Sequence, residues 1–144
     1  MQTPILGAVI ALVLWSVVML VWLVATRIPA SAKLKLNYDP MRPKSEYIDQ
    51  LPPKAQWKAD NYNHLMEQPT LFYATAITLA LLGAGGGLNA KLAWAYVALR
   101  IIHSLVQATV NKLPLRFLIF LISSVVLAVM AVRAAMIIFN CPAA

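Results

Sequence analysis

The chain has 144 residues, of which 61% are hydrophobic and 12% charged, where a soluble domain carries about 25% charged. That balance excludes an ordinary soluble fold, and the length suits a single domain. The formal net charge of +7 does not imply nucleic acid, because the basic residues fall between long apolar runs and line no soluble face.

No charged residue occurs from Pro4 to Thr26. About 20 apolar residues cross a bilayer as a helix, so a first span is expected over 4–27. A secretory signal is the rival reading, and "ASA" at 30–32 resembles a cleavage site. The run is too long for one, lacks a basic segment ahead of it and is followed by Arg27. A long connection covers about 28–58, with five prolines from Pro29 to Pro53. It and its flanks hold Arg27, Lys33, Lys35, Arg42, Lys44, Lys54 and Lys58. Short basic loops stay in the cytoplasm, which predicts this loop inside and both termini outside. Contact with anionic lipid is one use of the charge, and an acidic partner is the other.

A second apolar helix is expected over 60–83, ending at the "GAGGG" stop. Asn89 suits the N-cap of a third, over 89–111. "NKLP" then makes a corner, and Pro114 suits the first turn of a fourth helix over 114–139, because its missing N–H has no partner there anyway. Lys112 and Arg116 add to the basic side, whereas the turn between helices 2 and 3 has Lys91 alone. The expected fold is therefore an all-α membrane protein, a bundle of four transmembrane helices. No internal repeat is visible, and Trp15 and Trp94 read as packing or interface anchors. Cys141 is the single cysteine, so no internal disulfide forms; it reads as an incidental apolar residue. Two histidines and one Glu on different helices are too few for a metal site.

Polar residues inside the spans follow helical spacing. Arg100, His103, Ser104, Gln107 and Asn111 share one face of helix 3, and Asp60, Asn63, His64, Glu67 and Thr70 form a stripe on helix 2. Ionisable groups at such depth usually face the bundle interior, so the two stripes are expected to meet each other or a wet cleft. With a rise of about 1.5 Å per residue, Glu67 lies roughly 12 Å, His103 roughly 13 Å and Arg100 roughly 18 Å below the cytoplasmic boundary. Matching depth suggests Glu67 as counter-ion of Arg100 with His103 beside it, either as part of a site or as a clamp between helices.

Two motifs carry a resemblance. One is "EQPTLFY" at 67–73, a Glu–x–Pro–x–x–Phe–Tyr run; the other is "RIIHSLVQATVNKLPLR", Arg100 to Arg116. With four spans and a long first loop they resemble the MAPEG family, the membrane-associated proteins in eicosanoid and glutathione metabolism. The first motif is similar to that of its bacterial branch, the second to the helix 3–4 corner of the microsomal prostaglandin E synthases. The resemblance implies a homotrimer with glutathione bound between subunits near the cytoplasmic side, in a bacterial inner membrane. It gives Arg116 the role of stabilising the glutathione thiolate, with Glu67, Arg100 and His103 supporting it. His64, Asn63 and Gln107 fall at further cofactor-contacting places. There the chain departs from the family: arginines seven and four residues before the Glu are Asp60 and Asn63 here, the Asn three before it is His64, and the aromatic after the helix 3 His is Gln107.

Two functions follow. The first is a glutathione-dependent transferase or peroxidase acting on lipophilic small-molecule electrophiles that enter from the bilayer. The second is a non-catalytic accessory subunit of a larger membrane complex that retains the scaffold. A small transporter is a weaker third reading, without the broken helices of ion sites.

Overall fold

The computed structural model describes residues 3–35 and 39–140; Cys141 and Pro142 lie outside the described residues. Six helices follow in chain order: α1 Pro4–Lys33, α2 Lys44–Ile48, α3 Pro53–Glu67, α4 Pro69–Leu81, α5 Gly87–Thr109 and α6 Leu113–Asn140. No strand occurs among the described residues.

α1 runs past the expected end at 27 and through Pro29. The extension is covered by the connecting loop. Tyr47 of α2 shares a 2.8 Å hydrogen bond with Ser31, and its ring lies 6.0 Å from the Arg27 guanidinium. The second helix starts earlier than expected, at Pro53 rather than 60, because the proline supplies a preset first turn. It is then interrupted at Gln68. Pro69 has no N–H to give the carbonyl one turn back, so the helix divides into α3 and α4. Gln68 ties the break to the neighbouring helices. Its amide donates to Ser124 Oγ at 2.6 Å and its carbonyl accepts from Tyr96 Oη at 3.3 Å.

α6 packs on both α5 and α4, α3 packs on α5, and α1 packs on α3, α4 and α5. The apolar part of the core gathers Ile5, Leu12 and Met19 of α1 with Phe72, Leu79, Tyr96 and Met130. Phe72 and Tyr96 stack with centroids 4.5 Å apart. Two helices, α1 and α6, are long and apolar enough to cross a membrane, with mean hydropathy 2.8 and 2.6. Their outer faces expose Leu14, Val21, Val125 and Val132. Contiguous apolar surface of that extent requires lipid or protein cover.

At the end where α4 turns into α5, Gly85 is pressed against the start of α1. Ile5 N–H donates to the Gly85 carbonyl at 3.1 Å. A Cβ on Gly85 would collide with Thr3 Cγ2 and lie 2.7 Å from Ile5 Cγ2. Both are methyl groups of β-branched, stiff side chains. Gly85→Ala should therefore destabilise the protein by about 1–3 kcal/mol. Thermal unfolding in detergent checks this; an unchanged midpoint would show that the α1 start gives way freely.

Candidate functional site

The site is built at the corner between α5 and α6. Val110 ends α5, and Asn111 takes the left-handed conformation (φ 52°) that closes many helices. Asparagine tolerates this better than other residues with a Cβ. Its N–H donates to the Val106 carbonyl at 2.7 Å. The turn aims the Asn111 side chain at α6, where its Oδ1 accepts from Arg116 Nη1 at 2.5 Å. Pro114 sits in the first turn of α6, so Arg116 leaves the helix one turn in, half-buried and fixed. Its Nε is buried without a hydrogen-bond partner.

Arg116 shares a cleft of ≈ 160 Å³ with His64, His103, Leu113, Phe117 and Phe120. The two imidazoles meet edge to face, with centroids 6.1 Å apart. Behind them Arg100 is only 1% exposed. One guanidinium nitrogen, Nη2, donates to the His64 carbonyl at 3.1 Å, and the group lies about 6 Å from the rings of both Tyr96 and Phe120. Its Nε and Nη1 are buried and unpartnered. The corner thus holds two guanidinium groups with N–H bonds to spare. Donors left without acceptors in a dry site are costly, and they are satisfied by an anionic or carbonyl-rich ligand.

The polar face of α5 lies inside the fold: Arg100, His103, Ser104 and Gln107 are all buried. Gln107 does not line the cleft, and its Oε1 is unpartnered. The stripe on the second helix corrects the expectation. Asp60, Asn63, Glu67 and Thr70 are exposed on the single chain, and only His64 of that set reaches the cleft. The face turned to α5 carries Lys58, Asn61, Leu65 and Phe72 instead. Asn61 donates to Ser104 Oγ at 2.6 Å, and Lys58 Nζ reaches the Ala108 carbonyl at the end of α5 at 3.3 Å. An ammonium at a helix C-terminus is favoured there. The Trp22 ring lies 5.1 Å from the same Nζ.

Glu67 is consequently not the counter-ion of Arg100 within one chain. It pairs with His64 Nδ1 at 3.2 Å, one turn back on its own helix, with its side chain 66% exposed. Depth along two helices can match while the side chains point to different sides, and Glu67 is rotated away from α5. Among the described residues no carboxylate pairs with Arg100. Lys58, Asn61 and Gln68 make contacts between helices beyond those the polar stripes predict. A polar residue at the period of the apolar face, Leu65 and Phe72, was the available signal.

The MAPEG family profile matches residues 5–136, a stretch that contains all the site residues named above. No curated protein and no solved structure matches the chain. A helical fold with two membrane-length apolar helices fits that family, and a match over most of the chain identifies it. The chain belongs to the MAPEG family and is a membrane protein of that family.

Proposed function

We propose that this protein is a glutathione-dependent transferase or peroxidase acting on lipophilic electrophiles, with Arg116 as the thiol-activating group. The observation that carries this reading is Arg116, half-buried on the cleft with an unpartnered Nε, backed by Arg100, which is buried beyond the cleft lining with two unpartnered nitrogens. They fit an anionic tripeptide. Bound glutathione supplies a thiol, and a fixed cation beside it in low dielectric favours the reactive thiolate. Arg116 performs that role, held by Asn111. Phe117, Phe120 and Leu113 give the cleft an apolar wall for a greasy co-substrate.

The cleft of one chain is smaller than the roughly 300–1,000 Å³ of a typical ligand pocket. A second copy completes it in this reading, and Asp60, Asn63, Glu67 and Thr70 are the polar groups that copy covers. A homotrimer is the assembly proposed. α3 with α4, and α5, then form the two remaining spans. The Gln68 break leaves α4 apolar but only 13 residues long, and the buried polar face makes α5 less apolar than α1 or α6. The basic loop faces the cytoplasm of a bacterial inner membrane.

A specific observation favours a second reading, a non-catalytic subunit of a larger membrane complex. Asp60 and Asn63 stand where family enzymes hold glutathione carboxylates with arginines, and both are exposed. Ultraviolet absorbance of the glutathione thiolate separates the two. A signal at millimolar glutathione supports the enzyme. No signal, with co-purification of other membrane proteins, supports the subunit.

A further inference from the structure

The far end of the bundle carries a second arginine arrangement, independent of the glutathione reading. α6 is apolar from Phe117 to Phe139 except for Ser123, Ser124 and Arg133. Arg133 Nε donates to Asn89 Oδ1 at 2.6 Å. The other end of that amide donates to the Ala84 carbonyl at 2.8 Å, so Asn89 is oriented from both sides and fixes the arginine. Asn89 was expected to cap α5. It lies instead in the first turn, with Gly86 at the cap, and serves this bridge.

Among the described residues Arg133 has no acidic partner. The chain's five carboxylate side chains are Asp39, Glu46, Asp49, Asp60 and Glu67, and none lies on α5, α6 or the turn between α4 and α5. Beside it is an open cavity of ≈ 170 Å³ lined by Arg133, Met136 and Ile137. One wall is cationic and the others are apolar, which is the surface of an amphiphile in negative image. Position supports the match. Asn89 and Asn111 are separated by about 33 Å along α5, at about 1.5 Å per residue, close to the roughly 30 Å of a bilayer's hydrocarbon core. With the Arg116 corner at one interface, Arg133 sits near the other, at the depth of headgroup phosphates. A guanidinium held by one nitrogen keeps its remaining N–H bonds free for a phosphate, which it binds in fork geometry.

We infer that Arg133, oriented by Asn89, binds the phosphate of a membrane phospholipid headgroup at the end of the bundle opposite the Arg116 cleft. Met136 and Ile137 contact the top of its acyl chains.

The test uses the full chain in neutral detergent. Native mass spectrometry counts adducts with phosphatidylglycerol and with a diacylglycerol of the same chains. Thermal midpoints are measured with each lipid and with inorganic phosphate. Wild type should bind phosphatidylglycerol and gain stability from it, and gain neither from diacylglycerol nor from inorganic phosphate. Arg133→Gln should weaken phosphatidylglycerol binding about tenfold or more, the range for a lost charge-assisted contact. Equal binding of diacylglycerol by wild type would overturn the inference, because apolar contact alone would account for it. Equal stabilisation by inorganic phosphate would overturn the lipid as the source. Undiminished adducts in Arg133→Gln would do the same for the residue. If that variant fails to fold, Arg133→Lys, which keeps the charge without the planar fork, should still weaken the phosphatidylglycerol adducts, and undiminished adducts there would overturn the residue's role.

Discussion

Arg116→Ala should abolish the thiolate absorbance of bound glutathione and lower turnover by about 10²–10³-fold, the usual cost of losing one preorganised donor at a developing charge. The geometry gives the reason. Nη1 is committed to Asn111, Nε is buried without a partner, and the group opens on the cleft that His64 and His103 share. A lysine in its place supplies charge without the planar fork, so Arg116→Lys should recover part of the signal. Asn111 can be tested apart from the turn it makes. Asn111→Gly keeps the left-handed backbone at φ 52° and removes only the side-chain acceptor. Its melting temperature should stay near wild type while the thiol of bound glutathione titrates at higher pH. Less thiolate then forms at neutral pH, because an untethered guanidinium stabilises the anion less. A full thiolate signal in Arg116→Ala, with glutathione bound, would remove Arg116 from the chemistry.

How much of this is written in the sequence depends on what each residue type encodes. The apolar runs of α1 and α6 are read directly, since lipid contact demands nothing but hydrophobicity. The polar face of α5 is also legible. Arg100, His103, Ser104 and Gln107 recur at helical spacing, and the structure buries all four. The second helix was harder. Its start at Pro53 hides behind a polar segment, "PKAQWKAD", that reads as loop. Its break was visible as a motif, "EQP", but not as a division of the helix. Its orientation does not follow from its ionisable residues, which do not mark the inner face. The inner face is marked by periodicity, Lys58, Asn61, Leu65 and Phe72, and includes a lysine whose stem packs while its ammonium caps α5. Pairing of Glu67 with Arg100 needed the rotation of one helix against another, a quantity that no single helix encodes.

Arg100→Met should leave the protein at least as stable and make it less active. Arg100 is 1% exposed and the largest of the fully buried side chains. One hydrogen bond to the His64 carbonyl and two aromatic rings offset part of its desolvation. Two of its nitrogens have no partner, and among the described residues no carboxylate forms an ion pair with it. Exchanging a buried, poorly paired ion for an apolar side chain of similar shape is commonly neutral or stabilising by about 1–4 kcal/mol. Methionine suits the slot because it is unbranched and adapts between Tyr96 and Phe120. The unfolding midpoint in detergent should therefore hold or rise, whereas glutathione affinity should fall, because spare donors behind the cleft are what an anionic ligand engages. A fold that carries such a group for structure alone would lose stability without it. If Arg100→Met melts well below wild type, the guanidinium already has a carboxylate partner in the native assembly. Glu67 of a neighbouring copy would be its first candidate, being exposed on the single chain and tied only to His64. Glu67→Gln would then reproduce the loss, and the double variant would cost no more than either change alone.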